Sequence, residues 1–110
     1  MIESYKIQPL RIMAGWTVDF NNFFECNPED CEDFWSIFNE DLLQLKNKKY
    51  DLTIDLGWYP DGDPNGKYIL YLLVYENWRN PLEVFESRNT KDIVNTIELW
   101  TNYGYFSKYI

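Results

Sequence analysis

The residues best suited to chemistry sit in one short segment, Asp61-Gly62-Asp63-Pro64-Asn65-Gly66. Oxygen ligands at its first, third and fifth positions and a glycine at its sixth repeat the opening half of a calcium-binding loop. The twelfth position, which should supply a bidentate Glu, is Leu72. The same residue types are the ordinary vocabulary of a turn between strands, and that is the expectation here. A second concentration of oxygen ligands is Glu25, Glu29, Asp30, Glu32 and Asp33. At a helix start these acids complement the macrodipole. Joined in space with Asp61 and Asp63, they would form a negative face that steers a cationic protein; spacing alone does not decide whether the two segments adjoin.

Acid–base catalysis by carboxylates needs two acids converging in a water-poor cleft with their pKa values pushed apart. Asp19 and Asp55 are the acids to consider, and Asp55 is the better of the two. Each alternates with large apolar neighbours, so both are expected to point from a strand into solvent. The chain has no histidine, which removes Ser-His and Cys-His nucleophile pairs, an imidazole proton shuttle and imidazole metal ligands. Cys26 and Cys31 have no second cysteine pair to complete a tetrahedral zinc site, so free thiols are expected. No cofactor motif is present, and the chain reads as a protein that is not an enzyme and uses neither cofactor nor metal.

Aromatic residues are abundant, with five Trp, nine Tyr and seven Phe. Each ring buries about 150–250 Å², more than a core of this size can absorb in full. Phe34, Trp35, Phe38 and Trp100 fall on helical stripes and are expected in the core. Trp16, Trp58, Tyr59 and Trp78 lie beside Gly, Pro or Asn at strand ends, where they either plug the sheet or anchor a partner.

The elements that must position these residues follow from hydrophobic period. The 110 residues, 45% apolar and 25% charged, suit one domain over 1–110. A net charge of −8 repels phosphates and anionic lipid, which disfavours nucleic acid or a membrane surface as the main target. Met1–Ser4 shows no leader character, and no apolar run reaches the ~18 residues of a membrane span; with reduced thiols this leads to a cytoplasmic expectation. Tyr5–Met13 reads as an edge strand interrupted by Pro9, and Trp16–Phe20 as a one-sided strand. Asn27-Pro28-Glu29-Asp30 opens a helix whose stripe is Cys31, Phe34, Trp35, Phe38, Leu42 and Leu45, closed by Lys46, Lys48 and Lys49. Strands follow at Leu52–Trp58, at Tyr68–Tyr75, apolar throughout and so central and covered on both faces, and at Leu82–Ser87. A second helix starts near Thr90, buries Ile93, Val94, Ile97 and Trp100, and stops at Gly104. The sum is an α+β domain in the order β-β-α-β-β-β-α, with a mainly antiparallel sheet of about five strands and two helices. The aromatic tail from Tyr103 is expected to dock on its own domain or on a twin chain.

Several segments carry a resemblance: Gly15-Trp16-Thr17-Val18-Asp19-Phe20-Asn21-Asn22-Phe23, Glu40-Asp41-Leu42-Leu43-Gln44-Leu45, Ile54-Asp55-Leu56-Gly57-Trp58-Tyr59-Pro60 and Asn80-Pro81-Leu82-Glu83. Between about Leu10 and Trp100 the chain resembles small bacterial immunity proteins of polymorphic toxin systems. The resemblance implies an inhibitor that docks on a cognate toxin domain, cationic where the toxin handles phosphates. The expected contact residues are Trp58, Tyr59, Asp61, Asp63, Trp78, Glu29 and Asp30. The alternative is a small regulatory or ligand-binding domain, calcium-dependent through the Asp61–Gly66 loop.

Overall fold

A computed structural model describes residues 5–110; the reading of Met1–Ser4 lies outside them. The elements are β1 (Thr17–Asn21), α1 (Phe34–Ile37), β2 (Leu43–Asn47), β3 (Leu52–Tyr59), β4 (Lys67–Val74), β5 (Glu83–Ser87), α2 (Thr90–Trp100) and α3 (Tyr103–Phe106), with a 3₁₀ turn at Ser107–Tyr109. The strands form one antiparallel sheet in the order β1-β2-β3-β4-β5, so each strand pairs with its neighbours in sequence. The α+β class and the five-stranded antiparallel sheet stand as expected.

One face of this sheet carries the core. Leu43 and Leu45 of β2, Leu52, Ile54, Leu56 and Trp58 of β3, and Tyr68, Leu70 and Leu72 of β4 are all buried there. They pack with Phe23, Ile37, Phe38, Ile93, Ile97, Trp100 and Phe106. Full burial of each large apolar side chain is worth roughly 1.5–3 kcal/mol, so this layer supplies most of the driving force. The α2 residues Ile93, Ile97 and Trp100 recur at helical spacing on its buried side, and the Asn89 side chain caps the helix by accepting from Asp92 N at 3.1 Å. α2 stops at Trp100, earlier than expected, because Asn102 caps the separate turn α3 through Gly104 N at 2.9 Å.

Three element assignments move. Tyr5–Met13 is not a strand; it touches Phe24 through an isolated bridge at Ile7, and Pro9 cannot extend the ladder. The long helix over Cys31–Leu45 shrinks to the single turn α1, and Leu43–Asn47 is β2. The Asn39 side chain accepts from Asp41 N at 3.0 Å, a local turn that competes with helix continuation. β2 then pairs with β3 from Leu43↔Leu56 to Asn47↔Leu52, satisfying backbone groups that a buried β3 would otherwise leave unpaired. Trp35, expected in the core, is 81% exposed, because a one-turn helix has no continuous buried stripe to hold it.

β4 is an interior strand between β3 and β5, but the central strand is β3, and helices cover only one face of β4. On the other face Leu73 is buried while Ile69 and Tyr71 are half-buried. The tail docks on its own domain: the Tyr105 and Tyr109 hydroxyls donate to the Glu83 carboxylate at 2.6 Å, and Phe106 enters the core against Trp16. No helix among the described residues is long and apolar enough to cross a membrane.

Candidate functional site

β3 runs from the lysine-rich turn around Lys48 and Lys49 to the loop Pro60–Gly66, so this loop and that turn occupy opposite ends of the sheet. The loop is built as a turn. Asp63 Oδ1 accepts from Asn65 N at 2.8 Å, and its carbonyl accepts from Trp58 Nε1 and Gly66 N, each at 2.8 Å. Gly62 donates its N–H to Phe38 O at 2.8 Å and takes a positive φ of 67°. A Cβ at Gly62 would lie 2.9 Å from the Trp35 ring, so the exposed indole rests directly on this glycine.

Arg88 joins the two acidic segments that spacing left apart. Its guanidinium donates to Pro64 O at 3.1 Å, to Gly66 O, and to Glu29 Oε1 at 3.1 Å. It also lies over the Trp58 ring, 5.4 Å from the centroid. Glu29, Asp30 and Asp61 are exposed at this end, with Trp35 among them as the large exposed ring. Trp58 is a correction: it is fully buried, so of the two readings it plugs the sheet end and presents no contact surface. Asp63 is half-buried and its oxygens serve its own loop. Trp35 is the surface aromatic that sequence reasoning missed; its position next to the acid-rich segment was the available signal.

Tyr59 and Trp78 belong to a second region, the face of the sheet that no helix covers. Across it runs a row of paired residues: Phe20 in β1, Gln44 in β2, Asp55 in β3, Tyr71 in β4 and Val84 in β5. Trp78 reaches back from the β4–β5 connection to meet Tyr71 edge-on, with centroids 5.1 Å apart. Gly57 makes the close packing of this face feasible: a Cβ there would sit 2.3 Å from Glu40 O and 2.7 Å from the Tyr59 ring.

Asp55 corrects the expectation that it points into solvent, since it faces the open side yet is only 6% exposed. Gln44 Nε2 donates to its Oδ2 at 2.9 Å, while Oδ1 accepts no hydrogen bond from a described residue. Burial pushes the carboxyl up to about 6, the Gln44 bond opposes that rise, and the nearby Asp41 charge adds to it. Burial likewise pushes the Tyr59 hydroxyl up to about 12, with the Asp55 charge the next cause. The rim is charged: Lys46 pairs with Glu76 at 2.7 Å and Asp19 at 3.9 Å, and Lys67 pairs with Glu86.

The other chemical candidates receive little from the geometry. Among the described residues no three His, Cys, Asp or Glu side chains gather to hold a metal ion. Cys26 and Cys31 are free, and burial, followed by the neighbouring Cys31, pushes the Cys26 thiol up to about 12, which makes it a weak nucleophile at neutral pH. A cavity of about 560 Å³ opens among Met13, Tyr50, Tyr103 and Phe106 at the lysine-rich end. Neither it nor two smaller cavities of about 340 and 310 Å³ is lined by Asp19 or Asp55. Comparison with protein families, with curated proteins and with solved structures finds no match.

Proposed function

We propose that the chain is an immunity- or antitoxin-like inhibitor that acts in the cytoplasm by docking on a cationic toxin domain. The observation that carries this reading is the end of the sheet where Glu29, Asp30 and Asp61 are exposed together with the 81% exposed Trp35, which rests on Gly62 next to Asp61. An exposed indole on the Asp61 loop, at the end of the sheet that also exposes Glu29 and Asp30, has the make-up of an interface anchor: the ring supplies buried area, and the charges steer a basic partner and fix its orientation. Arg88 supports the same reading by fixing the Glu29 segment to the loop, so the surface is pre-organised and less ordering entropy is lost on docking. The calcium-dependent alternative gains no comparable support, because Asp63 Oδ1 already caps Asn65 N.

The test is capture of the toxic domain encoded by the adjoining reading frame, measured over a range of salt. Asp30→Lys with Asp61→Lys should slow association by tenfold or more at low salt and flatten its salt dependence, with Tm nearly unchanged. Association insensitive to both charge and salt would remove this end from the interface. Asp63 is left in place in that variant because its side chain caps the loop.

A further inference from the structure

We propose that the niche around Asp55 on the open face of the sheet receives one arginine side chain of the cationic partner, an inference that rests on the inhibitor reading and gives it a specific contact. Asp55 is nine-tenths buried, its Oδ1 is free of hydrogen bonds from described residues, and no Lys or Arg among those residues pairs with it. No fully buried side-chain oxygen among the described residues lacks a partner, so Oδ1 keeps some solvent exposure. Two tyrosines flank it. Tyr71 is the cross-strand partner of Asp55, and Tyr59, two positions beyond Gly57 on the same face, lies back across that glycine. Neither the Tyr59 nor the Tyr71 hydroxyl is hydrogen-bonded to a described residue.

A carboxylate oxygen flanked by two tyrosines suits a guanidinium better than an ammonium. Arginine is planar, stacks on aromatic rings, sheds its hydration more readily and donates several hydrogen bonds in one plane. The molecule already uses this chemistry internally, where Arg88 lies over Trp58 and donates to Glu29. Charge selects the occupant. Asp19, Glu40, Asp41, Asp55, Glu76 and Glu86 lie on or beside this face, and its lysines, Lys46 and Lys67, are already paired. A second copy of the same face would set these acids against their equals, whereas a basic protein would neutralise them. The desolvation that raises the Asp55 carboxyl is a standing cost in the free protein that an arriving guanidinium would offset.

The test uses the full chain, labelled with ¹⁵N and titrated with N-acetyl-arginine amide. Saturable shifts are expected at the Gln44 side-chain amide and at the Asp55 and Tyr71 backbone amides, at millimolar concentration. N-acetyl-citrulline amide, its neutral isostere, should leave these signals in place. Asp55→Asn keeps an oxygen for the Gln44 bond and should fold, which its Tm verifies, yet it should weaken arginine binding at least about tenfold. Shifts that fail to saturate, that persist in Asp55→Asn, or that fall only around Asp30 and Asp61 would overturn the niche. The two proposals fail separately. Toxin capture with an affinity unchanged by Asp55→Asn keeps the inhibitor and overturns the niche; saturable arginine binding at Asp55 with no toxin captured keeps the niche chemistry and overturns the inhibitor.

Discussion

Alternate residues of β3 serve two faces that are buried to nearly the same depth by different means. Leu52, Ile54, Leu56 and Trp58 are covered by α1, α2, α3 and the aromatic residues packed among them. Thr53, Asp55 and Gly57 are buried without any helix above them, by side chains and backbone on or beside their own sheet. The first arrangement stabilises the fold, because every contact removes apolar area from water. The second removes a carboxylate from water and gives it one hydrogen bond, an arrangement that costs stability. Depth of burial is therefore no guide to what a position contributes; the chemistry of the covering groups is.

The comparison is most easily broken on the covered face. Trp58→Ala should destabilise by about 3–5 kcal/mol in chemical denaturation, through the cavity and the lost Nε1 bond to Asp63 O; a loss below about 1 kcal/mol would mean that the covered face does not carry the fold. On the open face the sign reverses. The unfolded Asp55 carboxyl ionises near its ordinary 3.8 and the folded one near 6, so between these values the folded state holds a proton that the unfolded state has released. Stability conferred through Asp55 is thus present below about pH 4, declines as pH rises to about 6, and stays lowered above it. Asp55→Asn should accordingly be more stable than the parent by about 2–3 kcal/mol at pH 7.5, with the gap closing near pH 4. Gln44, Asp41, Glu40, Tyr59 and Lys46 are the charged or polar neighbours to hold unchanged in that comparison. A variant less stable at pH 7.5 would show that the carboxylate is favourably solvated.

Smaller effects sharpen the contrast. Gly57→Ala should cost about 1–3 kcal/mol, since its Cβ would press on the Glu40 backbone as well as on the movable Tyr59 ring. Trp35→Ala should change stability by no more than about 0.5 kcal/mol while weakening toxin capture at least tenfold. A collapse of the fold in that last variant would return Trp35 to the core role its sequence spacing suggested.

What the sequence made legible was mostly local. The alternation in β3, the apolar run of β4 and the Asn89 cap of α2 each appear in a few consecutive residues, and each element starts within a residue of where it was expected. β2 was hidden because Leu42 and Leu45 fit a helical stripe together with Phe34 and Phe38, while Leu43, Leu45 and Asn47 equally fit the period of a strand. The choice between them was made by the Asn39 turn and by the unmet backbone groups of β3, which lie elsewhere in the chain. Trp35 became a surface residue for the same reason. For Asp55, alternation placed the residue on the right face, but its burial depends on Gln44, Tyr71 and Tyr59, whose approach is fixed by strand register. Gly57 was the local hint, since a glycine inside a strand marks a close approach. The Arg88 bridge spans 59 residues to Glu29 and leaves no periodic trace.

That bridge has a mechanical consequence. Because Pro64, Gly66 and Glu29 share one guanidinium at the threshold of α2, force or thermal agitation applied to the hairpin tip is passed to the Glu29 segment and to the helix start together. The hairpin tip and the Glu29 segment are thus tied at one point, where a cation offsets part of the mutual repulsion of the carboxylates at this end.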